Sequence, residues 1–167
     1  MLTVPRFQDL PVQTYAYISF TVSMAEMAQP ANEGFPALFS WLSANGITPT
    51  GAPFYKYNRI DMARTLEVEA GVPVDHAAAG DDTVKFSQLP AGHYVWTTHT
   101  GPYDDLYDAT AMLIGWAKER GIEWDSATQS DGHHFACRLE IYETDPEQEP
   151  DPDKWVTTLR IKTTGPA

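Results

Sequence analysis

The chain has 167 residues, a formal net charge of −12, and 43% hydrophobic and 12% aromatic side chains. With only 11 Lys and Arg against 23 Asp and Glu, it lacks the clustered basic residues that hold a nucleic-acid backbone, and no apolar run approaches the roughly 20 residues that span a bilayer. A chain of this size can bury about 70% of its unfolded surface, enough for one well-filled core, so one domain is expected over residues 1–167.

The first element is a strand from Thr14 to Val22, where Ala16, Ile18, Phe20 and Val22 share one parity and Tyr15, Tyr17, Ser19 and Thr21 the other. Phe35, Leu38, Phe39 and Leu42 then recur at helical spacing within Asn32 to Ala44, with Pro36 near the start and Asn45 and Gly46 as the stop. Strands follow at Pro53 to Asn58 and Thr65 to Ala70, before a Gly, Pro and Asp-rich connection from Gly71 to Asp82. Further strands are expected at Val84 to Gln88 and Gly92 to Thr100. A helix from Tyr103 to Arg120 carries Leu106, Ala109, Leu113 and Trp116 on one stripe. His134 to Thr144 and Trp155 to Lys162 close the pattern, separated by the acidic, proline-rich Asp145 to Asp153, which reads as a solvated loop without chemistry.

The elements occur twice. LPVQTYAYISFT from Leu10 returns as LPAGHYVWTTHT from Leu89, and a Trp, four residues, Gly, Ile pattern at Trp41 returns at Trp116. The halves run from about residue 10 to 75 and from about 83 to 163. Duplicated strand, helix, strand, strand modules predict an α+β fold with pseudo-twofold symmetry, in which a curved antiparallel sheet has helices on one face and a ligand groove on the other.

Within His134 to Thr144, Cys137, Leu139 and Ile141 share one parity and are expected to pack under the helices. Glu140 and Tyr142 then face the uncovered side together with Tyr15, Tyr17, Tyr94 and Trp96, an assignment that a one-residue register error would invert. Exposed rings need a ligand, a partner or one another as cover. A ring-walled groove with one carboxylate suits a flat apolar cation, because ring faces and the acid both attract positive charge. Arg138, Arg160 and Lys162 are the alternative partners for Glu140, and Glu67 and Glu69 are a further pair of acids that could join it or remain solvated. His76, His93, His99, His133 and His134 are too scattered, or too alternately directed, for a metal site. Cys137 reads as a buried hydrophobe rather than a nucleophile, and no cofactor fingerprint occurs.

The segments APFYKYN, LEVEAGVPV, LPAGHYVWTTHTGPYDDLYDA, WAKERGI and LEIYETDP together resemble the GyrI-like small-molecule-binding domain, which also serves as the effector-binding domain of MerR-type and AraC-type multidrug-sensing regulators. The resemblance implies a duplicated module with a ligand groove and no resident cofactor. It also implies that Glu140 in LEIYE is the acid for cationic ligands, followed by Tyr142 on the same face, with Tyr103 of the Gly, Pro, Tyr turn at the groove rim and Tyr57 lining it. The reading that follows is a stand-alone binder of bulky aromatic, cationic molecules, with candidate ligand residues Glu140, Tyr142, Tyr103, Trp96, Tyr57, Tyr15, Tyr17 and Tyr94. Two alternatives remain open: a hydrolase of cyclopropane-containing DNA-alkylating toxins with Glu140 as general base, and a protein-interaction module such as a gyrase inhibitor. The lone cysteine and the absence of a secretory signal in MLTVPRFQDLP predict a cytoplasmic protein, with neither nucleic acid nor membrane as partner.

Overall fold

A computed structural model describes residues 1–165; residues 166 and 167, the end of the expected domain span, lie outside the described residues. The first module contains β1 (Arg6–Leu10), β2 (Gln13–Val22), a 3-10 turn (Met24–Glu26), a π-helical turn (Pro30–Gly34), α1 (Phe35–Ala44), β3 (Phe54–Ile60) and β4 (Leu66–Pro73). The second contains β5 (Lys85–Leu89), β6 (Gly92–Thr100), α2 (Leu106–Glu119), an inserted hairpin of β7 (Ser126–Gln129) and β8 (Gly132–Phe135), then β9 (Arg138–Tyr142) and β10 (Val156–Lys162). The strands form one curled antiparallel sheet in the order β1-β6-β10-β9-β3-β4-β2-β5, with the β7-β8 hairpin attached to β3. No helix among the described residues is long and apolar enough to cross a membrane.

This order is nearly symmetric about the β3-β9 contact, which is only three residue pairs long: Phe54 with Ile141, Tyr55 with Glu140 and Lys56 with Leu139. The outermost strands are exchanged: β1 of the first module pairs with β6 of the second, and β5 of the second with β2 of the first. Each half therefore completes the sheet of the other, and the short central contact is reinforced from both ends. The sequence pattern missed β1 because RFQDL is an edge strand paired on one side, and Phe7 stays largely exposed.

Residues directly opposite in neighbouring strands share a face. Ile18, Ala70, Tyr55, Glu140, Leu159 and Thr97 form one such row across six strands. That face is covered by α1, through Leu38 and Leu42 on Ala16, Ile18 and Val72, and by α2, through Leu106 and Leu113 on Val95, Leu159 and Ile161. Glu140 and Tyr142 are thus on the helix side, and Cys137, Leu139 and Ile141 on the helix-free side, the reverse of the sequence expectation. The rule that apolar residues mark the helix side fails here because the helix-free face lines the inside of the curl and has an apolar core of its own. Tyr15, Phe54, Leu89, Tyr94, Cys137, Leu139 and Ile141 pack there. Cys137 is buried as expected, but in that second core. The strand expected over His134 to Thr144 also breaks between β8 and β9.

The expected helix from Asn32 begins with the π-helical turn, whose wide Phe35 N–H to Pro30 C=O bond appears beside Pro36, a residue with no N–H to continue the regular ladder. Gly34 permits this turn to press on the sheet: a Cβ there would lie 2.7 Å from the Phe20 ring and 3.0 Å from Ala70 Cβ. Gly34→Ala is expected to destabilise the fold by about 1–3 kcal/mol in urea unfolding. Unchanged stability would mean that the close approach is not maintained in solution.

Candidate functional site

The three central pairs place Glu140 opposite Tyr55, between Tyr57 on β3 and Tyr142 on β9. Both flanking phenols donate to the acid, Tyr142 Oη to Oε1 at 2.6 Å and Tyr57 Oη to Oε2 at 3.2 Å. One donor comes from each module. Among the described residues no Lys, Arg or His nitrogen pairs with Glu140. Arg138 shares its strand face, but its guanidinium lies over the rings of Phe135 at 4.8 Å and Tyr57 at 5.6 Å. Arg160 and Lys162, the other expected partners, are on the opposite face, with Lys162 held by Asp125 at 2.7 Å.

Burial raises the pKa of Glu140, against the opposing pull of the two phenol hydrogen bonds and the Arg138 charge. The phenols of Tyr57 and Tyr142 are pushed well above their usual range, first by burial and then by the nearby carboxylate, so they stay protonated donors. Burial also lowers the pKa of Arg138. The acid is partly accessible and poorly compensated: two neutral donors hold a group for which a cation is the natural partner.

Aromatic rings surround it. Tyr55 meets Tyr142 edge-on at 5.3 Å and Tyr57 at 6.2 Å, and Phe35 at the start of α1 lies 5.8 Å from Tyr55 and 6.1 Å from Tyr142. Tyr103, in the turn before α2, is 5.3 Å from Tyr142 and 4.6 Å from Trp155. The acidic loop, expected to be inert, positions Trp155: the indole N–H donates to Glu149 O at 2.8 Å. The irregular segment before α1 is fastened to the sheet by Tyr55, whose Oη donates to Met27 O and accepts from Ala31 N, each at 2.8 Å.

Of the expected ligand residues, Glu140, Tyr142, Tyr57 and Tyr103 come together, and Tyr15, Tyr17, Tyr94 and Trp96 do not. The latter four lie on the helix-free face as expected, across the sheet from the acid. Tyr15 donates to Glu69 Oε1 at 2.5 Å and Tyr94 to Pro90 O at 2.6 Å. Glu69 is also bonded by Asn58, and Glu67 lies 3.4 Å from Arg59, so neither acid joins Glu140. His99 is buried beside the turn before α2, with Nε2 3.8 Å from Asp105. Tyr55, Phe35 and Trp155 were not anticipated. The parity that Tyr55 shares with Tyr57 in FYKYN was the available signal for the first, whereas Phe35 reads as helix core and Trp155 as strand.

A ring-walled carboxylate without a directly paired cation, at the seam of two repeated modules, is an arrangement suited to holding a small molecule. The chain belongs to the GyrI-like small molecule binding domain family, whose model matches residues 3–163. It is similar in fold to the EcmrR C-terminal domain (TM-score 0.76, 18% identity, 98% of each chain covered). In the EcmrR-DNA complex the same likeness (TM-score 0.78, 18% identity) covers 98% of this chain and 58% of that one. SAV2435 bound to tetraphenylphosphonium (TM-score 0.64, 10% identity, 98% and 95% covered) and a hydrolase from Listeria innocua (TM-score 0.62, 14% identity, 96% and 91% covered) share the fold. No curated protein matches the sequence.

Because burial holds the folded-state pKa of Glu140 above its unfolded value, the ionised acid destabilises the fold, and this penalty appears as pH rises from the unfolded pKa through the folded one. Glu140→Gln is therefore expected to raise Tm at pH 7 and to leave it nearly unchanged at pH 4. A lower Tm for the variant at pH 7 would contradict the geometry.

Proposed function

We propose that the chain binds bulky aromatic cations between its two modules, with Glu140 as charge partner and Tyr57, Tyr142, Tyr103 and Trp155 as ring contacts. The observation that carries this reading is the Glu140 carboxylate, held by two phenols and no cation. A ligand cation would supply a directly paired charge, and each ring face adds from about 0.5 kcal/mol at an exposed site to about 2 kcal/mol when desolvated. Micromolar affinity, about 8 kcal/mol, is in keeping with such a site. Tetraphenylphosphonium, the ligand named for SAV2435, is a suitable probe, although that relative is only 10% identical.

Isothermal titration with tetraphenylphosphonium is expected to give saturable binding that Glu140→Gln weakens by about tenfold or more. Equal binding by the variant would remove Glu140 as the charge partner. Affinity should fall as pH drops through the raised pKa of Glu140, since only the ionised acid attracts the cation. Tyr142→Phe removes a hydrogen bond that lowers this pKa, so the loss of affinity should begin at higher pH. A pH profile identical to that of the wild type would show that the Tyr142 bond does not tune the acid.

A second reading is supported by the same raised pKa. A carboxylate whose pKa lies closer to neutrality is a better general base, and the Listeria innocua relative is described as a hydrolase. Incubation with a strained cyclopropane alkylator separates the two readings: a binder returns it unchanged, whereas a hydrolase yields the ring-opened product and loses it in Glu140→Gln.

A further inference from the structure

The inside of the curl contains a hollow. Leu10 and Leu89, which open the two copies of the repeated strand, close over Phe54, Tyr94 and Leu139 and leave a cavity of about 360 Å³. That size is within the range of small-molecule pockets, roughly 300–1,000 Å³. Leu139 and Ile141 line it, so β9 presents Glu140 to one side of the sheet and an apolar floor to the other. The wall is mostly apolar, and its polar groups are almost all satisfied. Gln13 donates to Thr14 O and Val74 O, Tyr94 to Pro90 O, and Glu143, exposed at the rim, accepts from Thr158.

Arg160 is the exception. Among the described residues its guanidinium makes no hydrogen bond and has no carboxylate within 4 Å, and its Nε is sealed from solvent without a partner. Burial depresses its pKa, and Glu143, the largest opposing influence, is too far away to pair with it. A half-buried guanidinium that faces an apolar hollow, with its sealed Nε unpartnered, is complementary to an anion carried on an apolar body.

We propose that this cavity is a second binding site, for an apolar molecule carrying a single carboxylate or sulfonate that pairs with Arg160. It is separate from the Glu140 site in position, across the sheet, and opposite to it in charge preference. The chain then holds an apolar cation on the helix side and an apolar anion inside the curl.

The probe is 8-anilinonaphthalene-1-sulfonate, followed by fluorescence and displaced with decanoate. One saturable site is expected, with Arg160→Met weakening it about tenfold or more and Arg160→Lys retaining part of the affinity. Ala52→Phe, which fills the cavity from the wall supplied by the first module, should abolish binding, whereas Glu140→Gln and excess tetraphenylphosphonium should leave it intact. Undiminished binding in folded Arg160→Met, or in Ala52→Phe if the first variant does not fold, overturns the proposal. So does loss of the probe in Glu140→Gln, which would put it in the other site, or the absence of saturable binding to the wild type.

Discussion

Tyr57 of the first module and Tyr142 of the second donate to the same carboxylate, and the architecture of the seam follows from keeping that acid inside without a directly paired cation, the Arg138 charge acting only from a distance. Neutral donors lower the cost of burying Glu140 but do not cancel it. Under the proposed function such an acid gains from a cation brought by a ligand, and rings with electron-rich faces favour the same ligand. Destabilisation of the free fold and the proposed affinity for a cation would thus be two aspects of one arrangement.

The three-pair contact between β3 and β9 would be a weak joint by itself. The exchanged strands β1 and β5 stiffen it, because opening the seam would also strip an edge strand from each half. The helix side, where the acid stands, carries the less regular cover. There the chain before α1 is a 3-10 turn and a π-helical turn rather than regular helix, held to the sheet by the Tyr55 hydroxyl. Irregular backbone gives up fewer cooperative hydrogen bonds when it moves than a regular helix of the same length.

The duplication, the two helices and the strands β2 and β6 were legible because a repeated motif and strong periodicity act locally, before tertiary contacts intervene. The pairing of Glu140 with Tyr142 was legible too, as a Glu and a Tyr two residues apart in LEIYE. The face on which that pair stands was not. In β9 the odd residues Leu139 and Ile141 are apolar and the even residues Glu140 and Tyr142 polar or aromatic, which reads as inside and outside. The curl instead gives both faces an interior, and the apolar parity belongs to the one without helices. The same misreading drew Tyr15, Tyr17, Tyr94 and Trp96 into the acid's site, although their own face was assigned correctly. Trp155 was out of reach because its place is set by a hydrogen bond to a loop carbonyl, which no period in the sequence encodes.

The most direct test is the titration of the Glu140 carboxyl carbon by NMR in the free protein and with tetraphenylphosphonium present. Above-normal titration in the free protein and a marked downward shift on adding the cation are expected, since the ligand charge favours the ionised acid. An ordinary carboxylate pKa unmoved by the cation would contradict the assignment of Glu140 as a buried acid awaiting a positive partner.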